Sequence, residues 1–158
     1  MLEQIEKLLK ESVQAELLAQ KHNASGKLSD SVEVTNRTEN GTIFIEGAFL
    51  SYGKYVDLGR AKGVNKVPVQ ALIEWVKLKN IASGDEAKSV AFAIREKIFQ
   101  EGIPTRGSRQ IASKRLNFVG ETLKKVEPKL IQLIEEMDRA LKVAQLDNII
   151  RNTQTKLR

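Results

Sequence analysis

A turn dipeptide stands between two β-rich runs at residues 32–46, which read VEVTNRTENGTIFIE. At its centre, Asn40 and Gly41 are residue types that tolerate the positive φ angles of a tight hairpin turn. The run 42–46 is rich in β-branched and aromatic residues, and the run 28–37 begins to alternate apolar with polar residues. The sequence therefore predicts an antiparallel hairpin in which residues 28–37 pair with residues 42–46.

Helical periodicity dominates on both sides of this hairpin. Before it, apolar residues recur at steps of three and four from Leu2 to Ala19, which predicts an amphipathic helix. After it, further helices are predicted at residues 68–79, at residues 85–100 and from residue 116 onwards, with Pro128 starting or kinking the last one. We therefore predict an α+β class, with an N-terminal helix, a small antiparallel β-sheet and several helices that include a long C-terminal one.

Two stretches show neither the helical spacing of three and four residues nor the alternation of a strand. Residues 48–60 predict a short helical turn followed by a strand, and residues 61–67 predict a basic loop that contains glycine. We expect residues 1–150 to form a single α+β domain with the C-terminal helices, because the length suits one domain. Residues 151–158 are polar, and we expect them to be a frayed tail.

The composition excludes several classes of site. The chain has 158 residues, no cysteine and one histidine, His22. Disulfide scaffolds, cysteine-based zinc sites, iron–sulfur clusters and thiol nucleophiles are therefore excluded. The carboxylates mostly fall on helix faces beside basic partners, as Glu135 does with Arg139. We therefore expect no catalytic activity, no metal and no other cofactor.

The chain is also predicted to stay out of membranes. It has no apolar run that approaches the ~18 residues of a membrane-spanning helix. Its first residues, MLEQIEK, do not have the pattern of a signal peptide. We therefore expect a soluble protein that is made in a reducing cytosol.

Positive charge is concentrated in the last third of the chain. Lys and Arg number 26 against 20 Asp and Glu, and residues 102–158 hold 12 of the basic and 6 of the acidic side chains. The predicted loop in this region contains Arg106, Arg109, Lys114 and Arg115, and residues 102–120 contain no carboxylate. These four residues form either a solvated surface near two helix ends or a surface that faces nucleic acid or an acidic protein partner.

The aromatic residues are interpreted from their positions. Trp75 and Phe92 fall on apolar helix faces, which favours packing in the core over stacking on nucleic-acid bases. The segment at residues 52–59 shows neither helical nor strand spacing, and it contains Tyr52, Tyr55, Asp57 and Gly59. For this segment we favour a structural corner, with a ligand site as the alternative.

Four short motifs follow one another in a recognisable order. Residues 25–31 read SGKLSDS, residues 52–59 read YGKYVDLG, residues 73–81 read IEWVKLKNI and residues 98–106 read IFQEGIPTR. The series resembles the tail-completion, or head–tail joining (neck), proteins of long-tailed bacteriophages and prophages, and it covers roughly residues 1–145. In that family the second motif reads Tyr-x-x-Tyr-Val-Glu-x-Gly, and here Asp57 replaces the glutamate.

The resemblance implies a non-enzymatic structural protein of the virion, made in the cytoplasm of the host bacterium. Copies of the chain would form a ring between the portal–adaptor or head-completion proteins and the tail-tube or tail-terminator proteins, with DNA passing through the lumen. The N-terminal helix and the hairpin edge are candidate surfaces for contact between copies. The alternative function is that of a small basic nucleic-acid-binding protein.

Overall fold

The computed structural model describes residues 1–22, 24–106 and 116–156. Its elements, in chain order, are helix α1 (Leu2–Ala19), helix α2 (Lys27–Asp30), strand β1 (Glu33–Glu39), strand β2 (Thr42–Ala48), helix α3 (Gly53–Asp57), helix α4 (Val69–Leu78), helix α5 (Gly84–Glu101) and helix α6 (Phe118–Lys156). The two strands form one antiparallel sheet. The predicted α+β class, with a long C-terminal helix, is therefore confirmed. At 1.5 Å per residue, α6 is about 58 Å long.

The hairpin forms around the predicted turn. The two seven-residue strands pair antiparallel along their whole length. Asn40 and Gly41 have φ angles of 51° and 76°, and positive values at both positions are those of a type I′ turn. Within the hairpin only Val34 and Ile43 are half-buried, and the other strand residues are exposed. No third strand joins this sheet in the described residues.

The predicted start of the first strand is wrong. Leu28 lies in α2, a single helical turn that begins after Gly26, and β1 begins only at Glu33. Ser31 Oγ donates a hydrogen bond to the carbonyl of Leu28 (2.8 Å) and accepts one from the N–H of Leu50 (3.1 Å). Such local side-chain bonds offer the backbone an alternative to a strand ladder. As a result, Leu28 is buried in the core.

One hydrophobic core lies where α1, α2 and the start of α6 meet. Its buried members are Leu17, Leu28, Val32 and Phe118. The rings of Phe49 and Phe118 are 5.5 Å apart and tilted by 59°, a favourable arrangement for an aromatic pair. Ile5 and Leu17 of α1 are both buried, because α6 and β1 pack against α1. The apolar face of α1, a candidate for contact between copies, is thus largely covered by its own chain.

A second core lies between α4 and α5. Its buried members are Leu72, Ile73, Val76, Ala87 and Ala91. The two alanines are fully buried, and small side chains at a helix contact allow the two axes to approach closely. The predicted helix after Pro68 and the next helix are both present, with ends that shift by one residue.

Two aromatic residues of these helices were predicted to lie in the core, and that prediction is wrong. Trp75 is 38% exposed and Phe92 is 49% exposed. The guanidinium of Arg95 lies over the ring of Phe92, 4.7 Å from its centroid. Trp75 thus lies at the edge of the contact between α4 and α5 and not inside it.

Two further predictions need correction. The strand expected within residues 48–60 is absent from these described residues: α3 is followed by Arg60, which forms only an isolated antiparallel bridge with Ile103. The last helix begins at Phe118, so Pro128 lies inside it and does not start it. Pro128 lies at an exposed position, where water can satisfy the carbonyl of Lys124 that its missing N–H leaves unpaired.

Candidate functional site

Residues 52–59, the segment with the tyrosine motif, form hydrogen bonds with the start of α6. Asp57 Oδ1 accepts a hydrogen bond from the N–H of Val119 (3.0 Å), and the carbonyl of Asp57 accepts one from the N–H of Asn117 (2.6 Å). The first N–H groups of a helix have no partner inside it, and negative charge is stabilising at that end of the helix dipole. Asp57 therefore caps a helix that lies about 60 residues further along the chain.

Two glycines of the same segment are required by the surrounding backbone and side chains. Gly59 has a φ of 79°, and a Cβ there would overlap the carbonyl oxygen of Ile103. A Cβ on Gly53 would overlap the ring of Phe49. The next residue after Gly59, Arg60, exchanges two backbone hydrogen bonds with Ile103 (2.9 and 2.8 Å). The segment thus forms a structural corner that ties α3 to the end of α5 and to the start of α6.

Of the two tyrosines of this corner, Tyr52 is exposed and Tyr55 is half-buried. The ring of Tyr55 is within cation–π distance of Lys54 and of Arg60, with centroid distances of 5.0 and 4.9 Å. Arg60 also donates a hydrogen bond to the carbonyl of Asn65, which fixes its guanidinium near the ring. Tyr52 is 43% exposed, and its partial burial raises the pKa of its hydroxyl.

Two apolar clefts lie beside the corner, between the two hydrophobic cores. One cleft, of about 430 Å³, extends towards α5 and is lined by Ile98 and Ile103. The other, of about 440 Å³, extends towards α2 and is lined by Leu28 and Leu78. Four residues line both clefts: His22, Tyr52, Val56 and Trp75. We call the two clefts together the trough, and each has the volume of a small-ligand pocket.

Of the four predicted basic residues, the structure describes one. Arg109, Lys114 and Arg115 lie outside the described residues. Arg106 is exposed, and its backbone N–H donates a hydrogen bond to Oε2 of Glu101 (2.8 Å). That bond, together with a second one from Lys97, lowers the pKa of Glu101.

The loop at residues 60–66 carries further cations beside the end of α5. Its charged residues are Arg60, Lys62 and Lys66. The N–H of Gly63 donates to the carbonyl of Phe99 (2.8 Å), so the loop lies along the last turn of α5. Lys66 pairs with Glu96 at 2.8 Å, which lowers the pKa of that carboxyl. The basic composition of this loop can be read from the sequence. Its contact with residues 99–103 cannot be predicted from the residues of the loop itself.

A buried carboxylate joins α1 to α6. Glu16 is 7% exposed and accepts hydrogen bonds from Lys125 Nζ and from Gln20 Nε2 (2.9 Å). The bond from Lys125, and then the bond from Gln20, lowers the pKa of Glu16. A carboxylate held ionised in this way suits an ion pair between two helices, whereas proton transfer near neutral pH needs a pKa shifted upwards.

Within residues 1–22, 24–106 and 116–156, three or more histidine or acidic side chains do not come together in a group that could hold a metal ion. In the same part of the chain, every helix is too short or too polar to cross a membrane.

Comparison of the chain with protein-family models, with curated proteins and with solved structures finds no match in any of the three. The function therefore rests on the series of motifs and on the geometry described above.

Proposed function

We propose that this chain is a structural protein of a phage virion, of the neck or tail-completion type. Copies of the chain form a ring that joins the portal–adaptor side of the head to the tail, and DNA passes through its lumen. The observation that carries this proposal is the ordered series of motifs at residues 25–31, 52–59, 73–81 and 98–106. Each motif is short, so the resemblance depends on the order in which the four motifs occur along one chain.

The geometry of the structural corner supports this proposal. Asp57 caps α6, and Gly59 has a φ that favours glycine and touches the backbone of Ile103. The residues that carry the second motif are therefore used to join helices. This use fits a protein that acts by assembly better than one that acts on a substrate.

Open surfaces support a role in assembly as well. Among the described residues no third strand extends the hairpin, so its outer edges are candidates for pairing with another chain. In the second half of α6, every residue from 138 to 148 is exposed. We propose as partners further copies of the chain, head-completion or adaptor proteins on one side, and tail-tube or tail-terminator proteins on the other. The chain is made in the host cytoplasm and acts in the virion, close to DNA and without membrane contact.

A small basic nucleic-acid-binding protein is the second candidate, and the loop at residues 60–66 favours it. That loop holds three cations and no carboxylate, and it lies beside Tyr55 and the last turn of α5. Exposed cations such as Lys62 attract phosphates in a salt-dependent way, and the accessible part of a half-buried ring such as Tyr55 can stack on a base.

Particle assembly distinguishes the two candidates. We expect phage particles made without the chain to accumulate as filled heads and free tails in negative-stain micrographs. Purified chain added to this mixture should restore joined particles, whereas chain denatured beforehand should not. Joined particles that contain no copy of the chain would refute the neck assignment. Salt-dependent DNA binding by a chain that has no effect on joining would instead favour the second candidate.

A further inference from the structure

The trough exposes apolar surface between the two cores. Val56 packs against the core of α1 and α6, whereas Leu72 belongs to the core of α4 and α5. Between them, Trp75 is 38% exposed and Leu78 is 54% exposed. A contiguous apolar surface of this kind, bordered by polar residues, usually marks an interaction site.

The charged residues of the trough are mainly cationic. Lys21, Lys27 and Arg60 line it, against a single carboxylate, Glu74, among the residues that the structure describes. Complementary charge favours association and fixes orientation. The occupant that fits the trough therefore has apolar side chains bordered by carboxylates.

Helix α6 carries an apolar surface with this character. At 100° per residue, Leu123, Ile134 and Leu141 lie within about 20° of one another around the helix. These side chains are 48%, 49% and 54% exposed, and we call them the stripe. The stripe extends over about 27 Å of helix. Half-buried Leu130 and Met137 lie between the stripe and the face that packs on α1.

Carboxylates border the stripe on the side away from α1. Glu127 and Asp138 lie within about 60° of Leu141 around the helix. Asp138 pairs with Lys142 one turn later, in an exposed ion pair that contributes little to stability and can exchange partners. The stripe is thus an apolar helix surface with an acidic border.

We propose that the stripe of one copy docks into the trough of a second copy. An amphipathic helix laid in an apolar groove is a recurring mode of recognition, with side chains about two turns apart as anchors. The acidic border of the stripe then faces the cations of the trough. A second copy is the favoured occupant because every chain carries both complementary surfaces. Within one chain, buried Val126 and Leu133 hold α6 on α1, so the stripe cannot enter its own trough.

The docking joins two different patches, so each copy keeps one stripe and one trough for further neighbours. Such a heterologous contact closes into a ring when the rotation between copies allows it. In the proposed ring, this contact joins each copy to the next. That the ring lies between head and tail rests on the proposed function.

Cysteine cross-linking of the full chain tests this contact, because the natural sequence has no cysteine. Leu78→Cys places a thiol in the trough and Leu141→Cys places one on the stripe, and both leucines are 54% exposed. Leu146→Cys is the matched control, because Leu146 is 58% exposed and lies about 140° around the helix from Leu141. The paired variants are mixed at millimolar concentration and oxidised mildly. We expect about tenfold more heterodimer from the first pair than from Leu78→Cys with the control.

Two results would overturn the proposal. One is an equal yield of heterodimer from Leu141→Cys and from Leu146→Cys. The other is a Leu141→Cys homodimer that forms in preference to the heterodimer, because it would indicate a two-fold contact from stripe to stripe. Both measurements use the purified chain alone. A negative cross-linking result would therefore refute the contact between copies without deciding whether the chain joins heads to tails. A negative joining result would likewise refute the proposed function without deciding whether the copies make this contact.

Charge reversal provides a second measurement. Lys21→Glu with Lys27→Glu in the Leu78→Cys chain should reduce the heterodimer yield. Glu127→Lys with Asp138→Lys in the Leu141→Cys chain should restore it, because the contact regains opposite charges. A reduction that is not restored by the second pair of substitutions would contradict the proposed orientation of stripe and trough.

Discussion

The two halves of α6 share one helix and differ in what covers them. The buried side chains of the first half are Phe118, Thr122, Val126 and Leu133. In the second half, every residue from 138 to 148 is exposed, although Leu141, Val143 and Leu146 are apolar. Contacts within the described chain account for these four residues of the first half, but not for Leu123 and Ile134 of the same half, which are 48% and 49% exposed, nor for the apolar residues at 138–148. Contacts with another chain are therefore expected along one exposed face of the helix, from Leu123 to Leu141.

The two halves are also held in a helical conformation by different means. The first half begins at the cap from Asp57 and packs on α1. The second half has an ion pair within the helix, Asp138 with Lys142, and Glu135 pairs with Arg139 where the two halves meet. Each pair of this kind contributes a few tenths of a kcal/mol, whereas tertiary packing supplies most helix stability in proteins.

The largest expected effect is that of Phe118→Ala. This side chain is fully buried and packs on Phe49, so its removal should lower the free energy of unfolding by about 3–5 kcal/mol. Urea denaturation followed by circular dichroism measures the loss. Leu123→Ala, in the same half but 48% exposed, should cost less than about 1 kcal/mol. Similar losses for the two variants would show that the described core is not the main source of stability.

Local signals predicted much of this fold. The Asn40–Gly41 turn and the apolar spacing of α1, α4 and α5 are readable within a few residues, because hairpin turns and helix faces are short-range features. Leu28 shows the limit of alternation as a signal. Its apolar side chain suits a strand or a helical turn equally, and the bonds made by Ser31 select the turn.

Contacts between distant segments had no such signal. The carboxylate of Asp57 and the N–H of Val119 are 62 residues apart in the chain, so the cap on α6 depends on how α3 is placed. Trp75 shares a helix face with Leu72 and Val76, yet only Leu72 and Val76 are buried in the core with α5, and the spacing within α4 does not indicate this. The trough is made by the spacing of two cores, and no single segment predicts it.

A pH-dependent effect is expected for the pair that fastens α1 to the first half of α6. The pKa of Glu16 is lowered in the folded state, so its ionised form adds stability above the unfolded value of 4.5. This contribution is lost as the pH falls from 4.5 through the lower folded pKa. Glu16→Gln should reduce the unfolding free energy at pH 7 by about 2 kcal/mol, with a smaller difference in acid.

Denaturation with urea at several pH values measures this difference. Glu11→Gln is the control, because Glu11 is exposed and forms a surface ion pair in which its Oε1 lies 3.8 Å from Nζ of Lys7. Such a pair should contribute less than about 1 kcal/mol at any pH. A Glu16→Gln loss that stays constant into acid would mean that its ionised form adds nothing to the stability of the helix pair.

A smaller effect is expected at the cap. Asp57→Ala removes the acceptor for the N–H of Val119 and should cost about 1 kcal/mol, the usual value for a lost helix cap. Amide hydrogen exchange should become faster in the first turn of α6, because that turn loses its partner. Asp85→Ala is the control, since Asp85 is 96% exposed in the first turn of α5 and should change stability little. An unchanged exchange rate at residues 118–121 would contradict the capping role.

The smallest effect on stability is expected in the second half of α6. Leu141→Ser and Leu146→Ser should each lower the free energy of unfolding by about 0.5 kcal/mol or less, because both leucines are more than half exposed. Serine and leucine differ by only a few tenths of a kcal/mol in helix propensity, and that cost is the same at both positions. Self-association should nevertheless separate the variants when it is measured by sedimentation over a range of chain concentrations. Leu141 lies on the stripe and Leu146 does not, so only Leu141→Ser should weaken association. Equal weakening would mean that exposed apolar surface in general, and not one face of α6, drives the contact.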